Sequence, residues 1–370
     1  MKICVLGGCG DMARVALNIL AQEEDVSSIT IADINISKAQ EISATLGPKF
    51  TARFVNAKEK SSIIDAVKNH NVTLGFIGPF YMFEHDIIDA CIEAKVPYVS
   101  ICDDYDAYLS AITLNDKAKE AGLTIIAGLG NSPGITNLLA KKGYLSLDKP
   151  ERIEINWAGG SNEDIGPANV KHVLHIFSGY TLQWRDGKEV KIKTGTDKKI
   201  VEFPEPMGKL PVYITGHAES VSIPRTLPNL KYVSLHGGIH PPYIAKLATF
   251  LGRLGLSNTP KKREILTKIL LPLVNLGIFS KGGVDKSVFR VDVYGEKNGK
   301  QVHYHYSGVG HIAEITSIPA VEGALMIARG ELNKPGVHSA ESAIDNVDDF
   351  LQRLKNRGVT LYYFENDSTT

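Results

Sequence analysis

The 370-residue chain predicts an α/β fold, in which a doubly wound parallel sheet is followed by a second α+β domain on a largely antiparallel sheet. Three observations carry that expectation. Over the first 130 residues, short apolar runs alternate with helix-period segments. Three glycines crowd the end of the first apolar run. Beyond about residue 153 the alternation stops, and a hairpin signal appears near the end of the chain.

The apolar runs lie at 3–6, 29–32, 52–55, 74–77, 98–101 and 123–127. They are short and often β-branched, as strands covered on both faces should be. Helix-period segments at 12–20, 38–46, 61–67, 84–94 and 109–121 separate them, which is the rhythm of repeated βαβ units. Past the change of character, Ser287 to Tyr306 reads as two alternating strands around Asn298-Gly299, a strong hairpin signature. Residues 317–329 then return to helical spacing, with Pro319 expected in the first turn, where a missing N–H costs little. A short helix at 347–354 and a strand-like 359–364 close the chain.

Composition narrows the class of partner. The 41 basic and 41 acidic side chains cancel, so the electrostatic footprint of a nucleic-acid or membrane-surface binder is missing and a small molecule is favoured. Cys4, Cys9, Cys91 and Cys102 form no CxxC pair and read as reduced thiols of a cytoplasmic protein. No signal peptide is expected, because Lys2 is followed by only four apolar residues. The apolar segment 265–279 contains Lys268, Pro272 and Asn275 and is too short for a membrane span, so it reads as a core or interface helix. With no HExxH and no Cys/His ligand spacing, no metal is expected.

The stretch VLGGCGDMA (5–13) then gains a meaning. Gly8-x-Gly10-x-x-Ala13 fits the dinucleotide fingerprint, with Gly7 as a further turn position. Gly8 permits the tight turn, Gly10 lets backbone approach a pyrophosphate, and Ala13 lets the helix sit close on the strand. The anion would meet the N–H groups of a helix starting near Asp11 and Met12. Asp33 ends the second strand twenty residues past Ala13, the spacing of a carboxylate that binds the adenosine ribose. A carboxylate there repels a 2′-phosphate, and the nearest base in sequence is Lys38, so the expected cofactor is NAD, with NADP as the alternative.

Three further motifs fall at the carboxyl ends of predicted parallel strands, the edge where such sheets bind ligands. They are Gly78-Pro79-Phe80-Tyr81, Ile101-Cys102-Asp103-Asp104 and Gly128 to Asn137, which includes Asn131-Ser132-Pro133-Gly134. Taken with the glycine loop, they resemble the saccharopine dehydrogenase family, in the reductase-like branch with lysine 6-dehydrogenase. The stretches 211–225 and 334–343 are similar to members of it too. The resemblance implies an NAD(P)-binding domain (1–130), a substrate and dimerisation domain (131–315), and C-terminal helices (316–370) that return to the first domain. It also implies a homodimer and hydride transfer at a C–N bond of an amino-acid-derived substrate.

The residues can also be read on their own chemistry. Gly78, Pro79 and Phe80 suit the nicotinamide side of the cofactor as an apolar wall, though Phe80 equally suits core packing. Asn131 or Ser132 would cap a helix with Pro133 at its first position, a seat for a substrate carboxylate. Asp103 and Asp104 suit an ammonium or a proton, or simply a helix cap. Arg225, between two prolines, suits a carboxylate or an ordinary ion pair. Among histidines, His172 and His175 share a helical face, His236 and His240 are neighbours, and His217 lies in a stretch resembling the family.

The expected site is therefore Asp103, His175 and Tyr81 for the proton and Asp104, Ser132, Arg225 and His236 for the substrate. Gly7, Gly8, Gly10, Asp11, Met12, Ala13, Asp33, Gly78, Pro79, Phe80 and Asn131 make up its cofactor side. Two other readings stay open: a non-catalytic sensor of NAD occupancy, and an enoyl-type reductase.

Overall fold

The computed structural model describes residues 1–163, 167–279 and 281–367, which divide into two compact units. The first comprises Met1–Ile135 and Ala313–Asn346; the second comprises Thr136–Ile312 and Val347–Thr370.

In chain order the first unit runs β1 (Lys2–Leu6), α1 (Asp11–Ala21), β2 (Ser28–Asp33), α2 (Ile36–Leu46), β3 (Phe50–Phe54) and α3 (Lys60–Val67). It continues through β4 (Val72–Gly75), α4 (Phe80–Glu93), β5 (Tyr98–Ser100), α5 (Tyr105–Ala111), α6 (Asn115–Glu120) and β6 (Thr124–Ile126). The single helix expected at 109–121 is thus two helices, joined by a 3₁₀ turn at Ile112–Leu114. The second unit opens with α7 (Ile135–Leu145), β7 (Lys149–Gly160), α8 (Pro167–Ile176), β8 (Tyr180–Arg185), β9 (Lys188–Lys193), β10 (Lys199–Glu202) and β11 (Lys209–Ile214). It proceeds through α9 (Glu219–Thr226), β12 (Tyr232–His240), α10 (Pro242–Arg253), α11 (Pro260–Asn275), β13 (Ser287–Lys297) and β14 (Lys300–Gly310). Then follow α12 (Ile312–Ala328), β15 (Gly336–His338), α13 (Ala340–Ala343), α14 (Val347–Asn356) and β16 (Thr360–Asp367).

The first sheet has seven parallel strands in the order β15-β6-β5-β4-β1-β2-β3. Strands β4 and β6 are buried throughout and β1 is buried from Ile3 to Leu6, whereas β3 is a half-exposed edge. The chain reverses direction across the sheet between β1 and β4, so the carboxyl ends of these strands flank the switch point where a ligand cleft opens. The strand β15 was not foreseen; three residues are too few for a periodicity to show.

Helix α12 is apolar around most of its circumference, and its middle, from Ser317 to Leu325, is wholly buried, as the core-crossing part of a central helix should be. It starts at Ile312, ahead of the expected 317, and the added turn brings Ile315 into the buried surface. Pro319 therefore lies inside the helix, where it removes the N–H that the Ile315 carbonyl would have accepted from. The returning segment is also shorter than 316–370: α12, β15 and α13 go with the first unit, while β16 pairs antiparallel with β14 in the second.

The second unit is a nine-stranded sheet along the path β10-β11-β12-β7-β13-β14-β16, with β8 attached to β12 and β9 to β8. Among the described residues β7–β12 is its parallel pair and the other pairs are antiparallel. The hairpin turns at Asn298-Gly299, both with positive φ. Ile176, Phe177, Tyr213, Ile239, Ala245 and Ala248 form a core under α8 and α10. No helix among the described residues is long and apolar enough to cross a membrane.

Candidate active site

The glycine loop is built by backbone demands. Gly7 has φ +75°, and a Cβ on it would lie 2.9 Å from the Phe76 carbonyl group; its N–H donates to the Ala32 carbonyl at 2.8 Å. A Cβ on Gly8 would come within 2.6 Å of Ile31 Cγ2. Gly10 differs, because a Cβ there would meet only the Gly7 carbonyl oxygen, at 3.4 Å. The packing of the protein tolerates a side chain at Gly10, so the glycine is explained by what must approach it from outside. Gly10 is also the N-cap of α1 and has no side chain to satisfy the first-turn N–H groups of Asp11, Met12 and Ala13, which leaves them for an anion. From α12, Ser317 Oγ donates to the Met12 carbonyl at 2.7 Å and anchors that turn.

Asp33 joins this loop to the end of β2. Its Oδ2 accepts from the Cys9 N–H at 3.0 Å and its Oδ1 from the Asn35 N–H at 2.9 Å, so the carboxylate is oriented before any ligand arrives. Each oxygen keeps a second lone pair for a ribose hydroxyl. Burial, then the charge of Asp33, pushes the Cys9 thiol up to about 11, which makes it a poor nucleophile.

At the end of β4, Pro79 is the N-cap of α4 and Phe80 its first residue, four positions ahead of the expected start. Phe80 packs with Ile101, Cys102 and Ala107, so it is core rather than a ligand-facing wall. The Tyr81 N–H donates to Asp104 Oδ2 at 3.0 Å. Asp104 is fully buried at the N-cap position of α5, yet its carboxylate serves the first turn of α4, where the helix dipole favours a negative charge. Asp103, one residue earlier, is half-buried.

After β6, Gly128 and Leu129 donate to the Ser100 carbonyl. The Gly130 N–H bonds the Pro133 carbonyl at 2.9 Å, and Gly134, with φ +130°, leaves no room for a Cβ against Gly130. Because a residue at that φ is not helical, α7 begins only at Ile135, and Pro133 is not its first residue as expected. Asn131 is 5% exposed, and its Oδ1 has no hydrogen-bond partner. A buried acceptor of this kind is costly unless a ligand donates to it. The open side of Gly10 and this orphaned oxygen both fit a nicotinamide dinucleotide.

The second unit gathers a different set. His172 on α8 and His217 meet through their Nε2 atoms at 3.3 Å, and the His217 ring stacks on Trp157 with centroids 5.2 Å apart. His217 Nδ1 lies 3.8 Å from Glu219 Oε2, and Thr136 Oγ1 donates to Glu219 Oε1 at 3.0 Å. His217 and Glu219 are both buried. His172, one turn before His175 on α8, is the residue that pairs with His217. Glu219 was not foreseen.

Two expected substrate residues are committed elsewhere. His236, on β12, is buried with Nε2 3.3 Å from Asp197, and burial followed by the charge of Lys199 drives it down to about 4. It is neutral at neutral pH. Arg225 sits in the last turn of α9 instead of on a stiff loop, bound to the Val221 carbonyl and paired with Glu189 at 2.6 Å.

A parallel sheet with this glycine loop at its first strand and this carboxylate at its second defines an NAD(P)-binding oxidoreductase. The comparisons make the class specific. Residues 3–126 match the model of the saccharopine dehydrogenase NADP binding domain and residues 130–359 that of the saccharopine dehydrogenase C-terminal domain. The chain belongs to the saccharopine dehydrogenase family and is a nicotinamide-dependent dehydrogenase.

It is 26% identical to carboxynorspermidine synthase of Vibrio cholerae, over 95% of this chain and 94% of that protein. It is 23% identical to carboxyaminopropylagmatine dehydrogenase of Synechocystis, over 97% and 96%. The fold is that of the apo histidine-tagged saccharopine dehydrogenase (L-Glu forming) from Saccharomyces cerevisiae, with a TM-score of 0.69 at 16% identity over 98% of this chain and 99% of that one.

Proposed function

We propose that this chain transfers hydride between a nicotinamide dinucleotide and a carbon–nitrogen bond of a small amino-acid-derived amine or imine. The observation that carries the reading is the first sheet's edge, where an open Gly10, a pre-oriented Asp33 and an orphaned Asn131 Oδ1 stand ready for a dinucleotide. Relatives whose names denote amine chemistry support the substrate class.

When bound, the dinucleotide supplies or accepts the hydride. Gly7, Gly8, Gly10 and the first turn of α1 hold the pyrophosphate, Asp33 the adenosine ribose, and Gly78, Pro79 and Asn131 the nicotinamide end. An amine must be neutral to lose hydride, and an imine must be protonated to accept it. Asp103, Tyr81 and the histidines of the second unit, His175 and the His172–His217–Glu219 set, manage that proton. Asp104 and Ser132 receive the polar ends of the substrate. Arg225 and His236 keep their structural partners. Asp33 favours NAD over NADP, because its charge repels a 2′-phosphate.

The enzyme works as a homodimer through the exposed apolar side chains of α10 and α11, among them Phe250, Leu254, Ile265 and Ile269. It works in the cytoplasm, where its four free thiols stay reduced. Light scattering of a Leu270→Asp variant should give the monomer mass; an unchanged mass would remove α11 from the interface.

The test of function is titration with NADH and NADPH, followed by nicotinamide absorbance with lysine, saccharopine and related amines or imines. Turnover on one of them with NADH is expected. Tight binding without turnover across the panel would favour a sensor, and no binding would refute the reading.

A further inference from the structure

The first unit carries a buried carboxyl that this mechanism does not use. Glu84 lies in α4 on the same buried stripe as Phe80, Ile87, Ile88 and Cys91, and its relative exposure is 0%. Its Oε2 accepts from Tyr98 Oη at 3.0 Å and its Oε1 from Ser100 Oγ at 2.5 Å; Ser100 Oγ in turn accepts from the Cys102 N–H at 3.3 Å. The neighbouring strand is shaped around this group, because a Cβ on Gly75 would lie 2.0 Å from Tyr98 Oη. One carboxyl thus ties α4 to the whole of β5 and to the first residues of the loop that carries Asp103 and Asp104.

Among the described residues, the groups that act on the charge of Glu84 include Tyr98, Asp103, Asp104, Cys91 and Cys102, and none of these is a cation. A fully buried carboxylate without a counter-charge is costly. Asp104 holds the N–H of Tyr81 at the start of α4, which stabilises its charge; Glu84, one turn further in, has two hydroxyls only. Glu84 is therefore a group whose charged form its surroundings disfavour. Burial, opposed by the Ser100 and Tyr98 hydrogen bonds, raises it from 4.5 to about 7.

We propose that Glu84 is a positioning residue: as a neutral acid it fixes the carboxyl end of β5 against α4 and so sets the Cys102–Asp104 loop at the cofactor edge. The proposal rests on the reading of that edge as the dinucleotide site. A neutral amide should do the same work, whereas an apolar side chain of similar size should not.

The experiment compares Glu84→Gln and Glu84→Leu with the unaltered protein in two measurements. The first is NADH affinity by calorimetry. Glu84→Gln should stay within about twofold, and Glu84→Leu, which strands the two hydroxyls and frees the loop, should lose about tenfold while its circular dichroism is unchanged. Equal affinity in all three, or equal loss in both variants, overturns the proposal.

The second is thermal unfolding of the cofactor-free protein from about pH 5 to pH 8. A raised folded-state pKa means that stability is complete below the unfolded value and is lost as pH rises through the folded one. The unaltered protein should therefore lose stability relative to Glu84→Gln as pH rises towards 7, and parallel curves overturn the neutral-acid assignment. This readout does not need NADH to bind, so a failure of the dinucleotide reading, seen as no binding by the unaltered protein, is told apart from a failure of this one.

Discussion

At the edge of the first sheet, the groups that would meet a ligand are mostly backbone: the N–H groups of the glycine loop and of the first turn of α1, with Asp33 held by Cys9 and Asn35. In the second unit, side chains meet side chains. His172, His217, Glu219 and Thr136 come from three separated segments and form one connected set. The first arrangement is local and stereochemical; its packing has no room for a side chain at Gly7 or Gly8, but it needs little from afar. The second depends on long-range register, and each member is positioned by the next. Under the proposed function the first arrangement serves the cofactor, and the second takes part in handling the proton without serving the cofactor.

The largest effect that could break this division is on turnover. In a His217→Gln variant, kcat should fall by roughly 10²–10⁴, the contribution usual for a positioned acid or base, with NADH affinity unchanged. Steady-state kinetics with calorimetry would check it, and a matching loss of NADH affinity would contradict the division.

A smaller effect sharpens the cofactor side. Removing the ribose acceptor in Asp33→Ala should weaken NADH by about tenfold or more, as for hydrogen bonds to a charged group. Because Asp33 also holds the Cys9 N–H, NADPH should weaken too, but less, since repulsion of the 2′-phosphate is relieved at the same time. Equal losses would sink the ribose assignment.

The same contrast explains what could be read in advance. Gly8, Gly10 and Asp33 were legible because the fingerprint is a local rule of backbone approach, and the βαβ rhythm is a local rule of periodicity. Glu84 was legible in principle: a glutamate four residues after Phe80 and in step with Ile87, Ile88 and Cys91 falls on the apolar stripe of its helix. A helix started at Glu84 leaves Phe80 off that stripe and puts the glutamate in a first turn, where an acid reads as an exposed helix-start residue. The start of the helix at Ile135 is legible, but Pro133 is not its first residue, because the conformation of Gly134 is set by its packing on Gly130, a contact no propensity announces. The pairing of His172 with His217, and of Arg225 with Glu189, depends on tertiary register and leaves no trace in spacing.

The central claim is that the glycine loop exists to bring a dinucleotide against the backbone, and Gly10 separates that role from folding most cleanly. Its backbone is extended, at φ −77° and ψ 161°, and a side chain there meets almost nothing of the protein. The decisive measurement is calorimetric titration of the unaltered protein and of Gly10→Val with NADH, with thermal unfolding of both. The account predicts stability preserved within about 1 kcal/mol and affinity reduced by about 100-fold or more, because the branched side chain occupies the approach to the pyrophosphate. Undiminished NADH binding by Gly10→Val would contradict it.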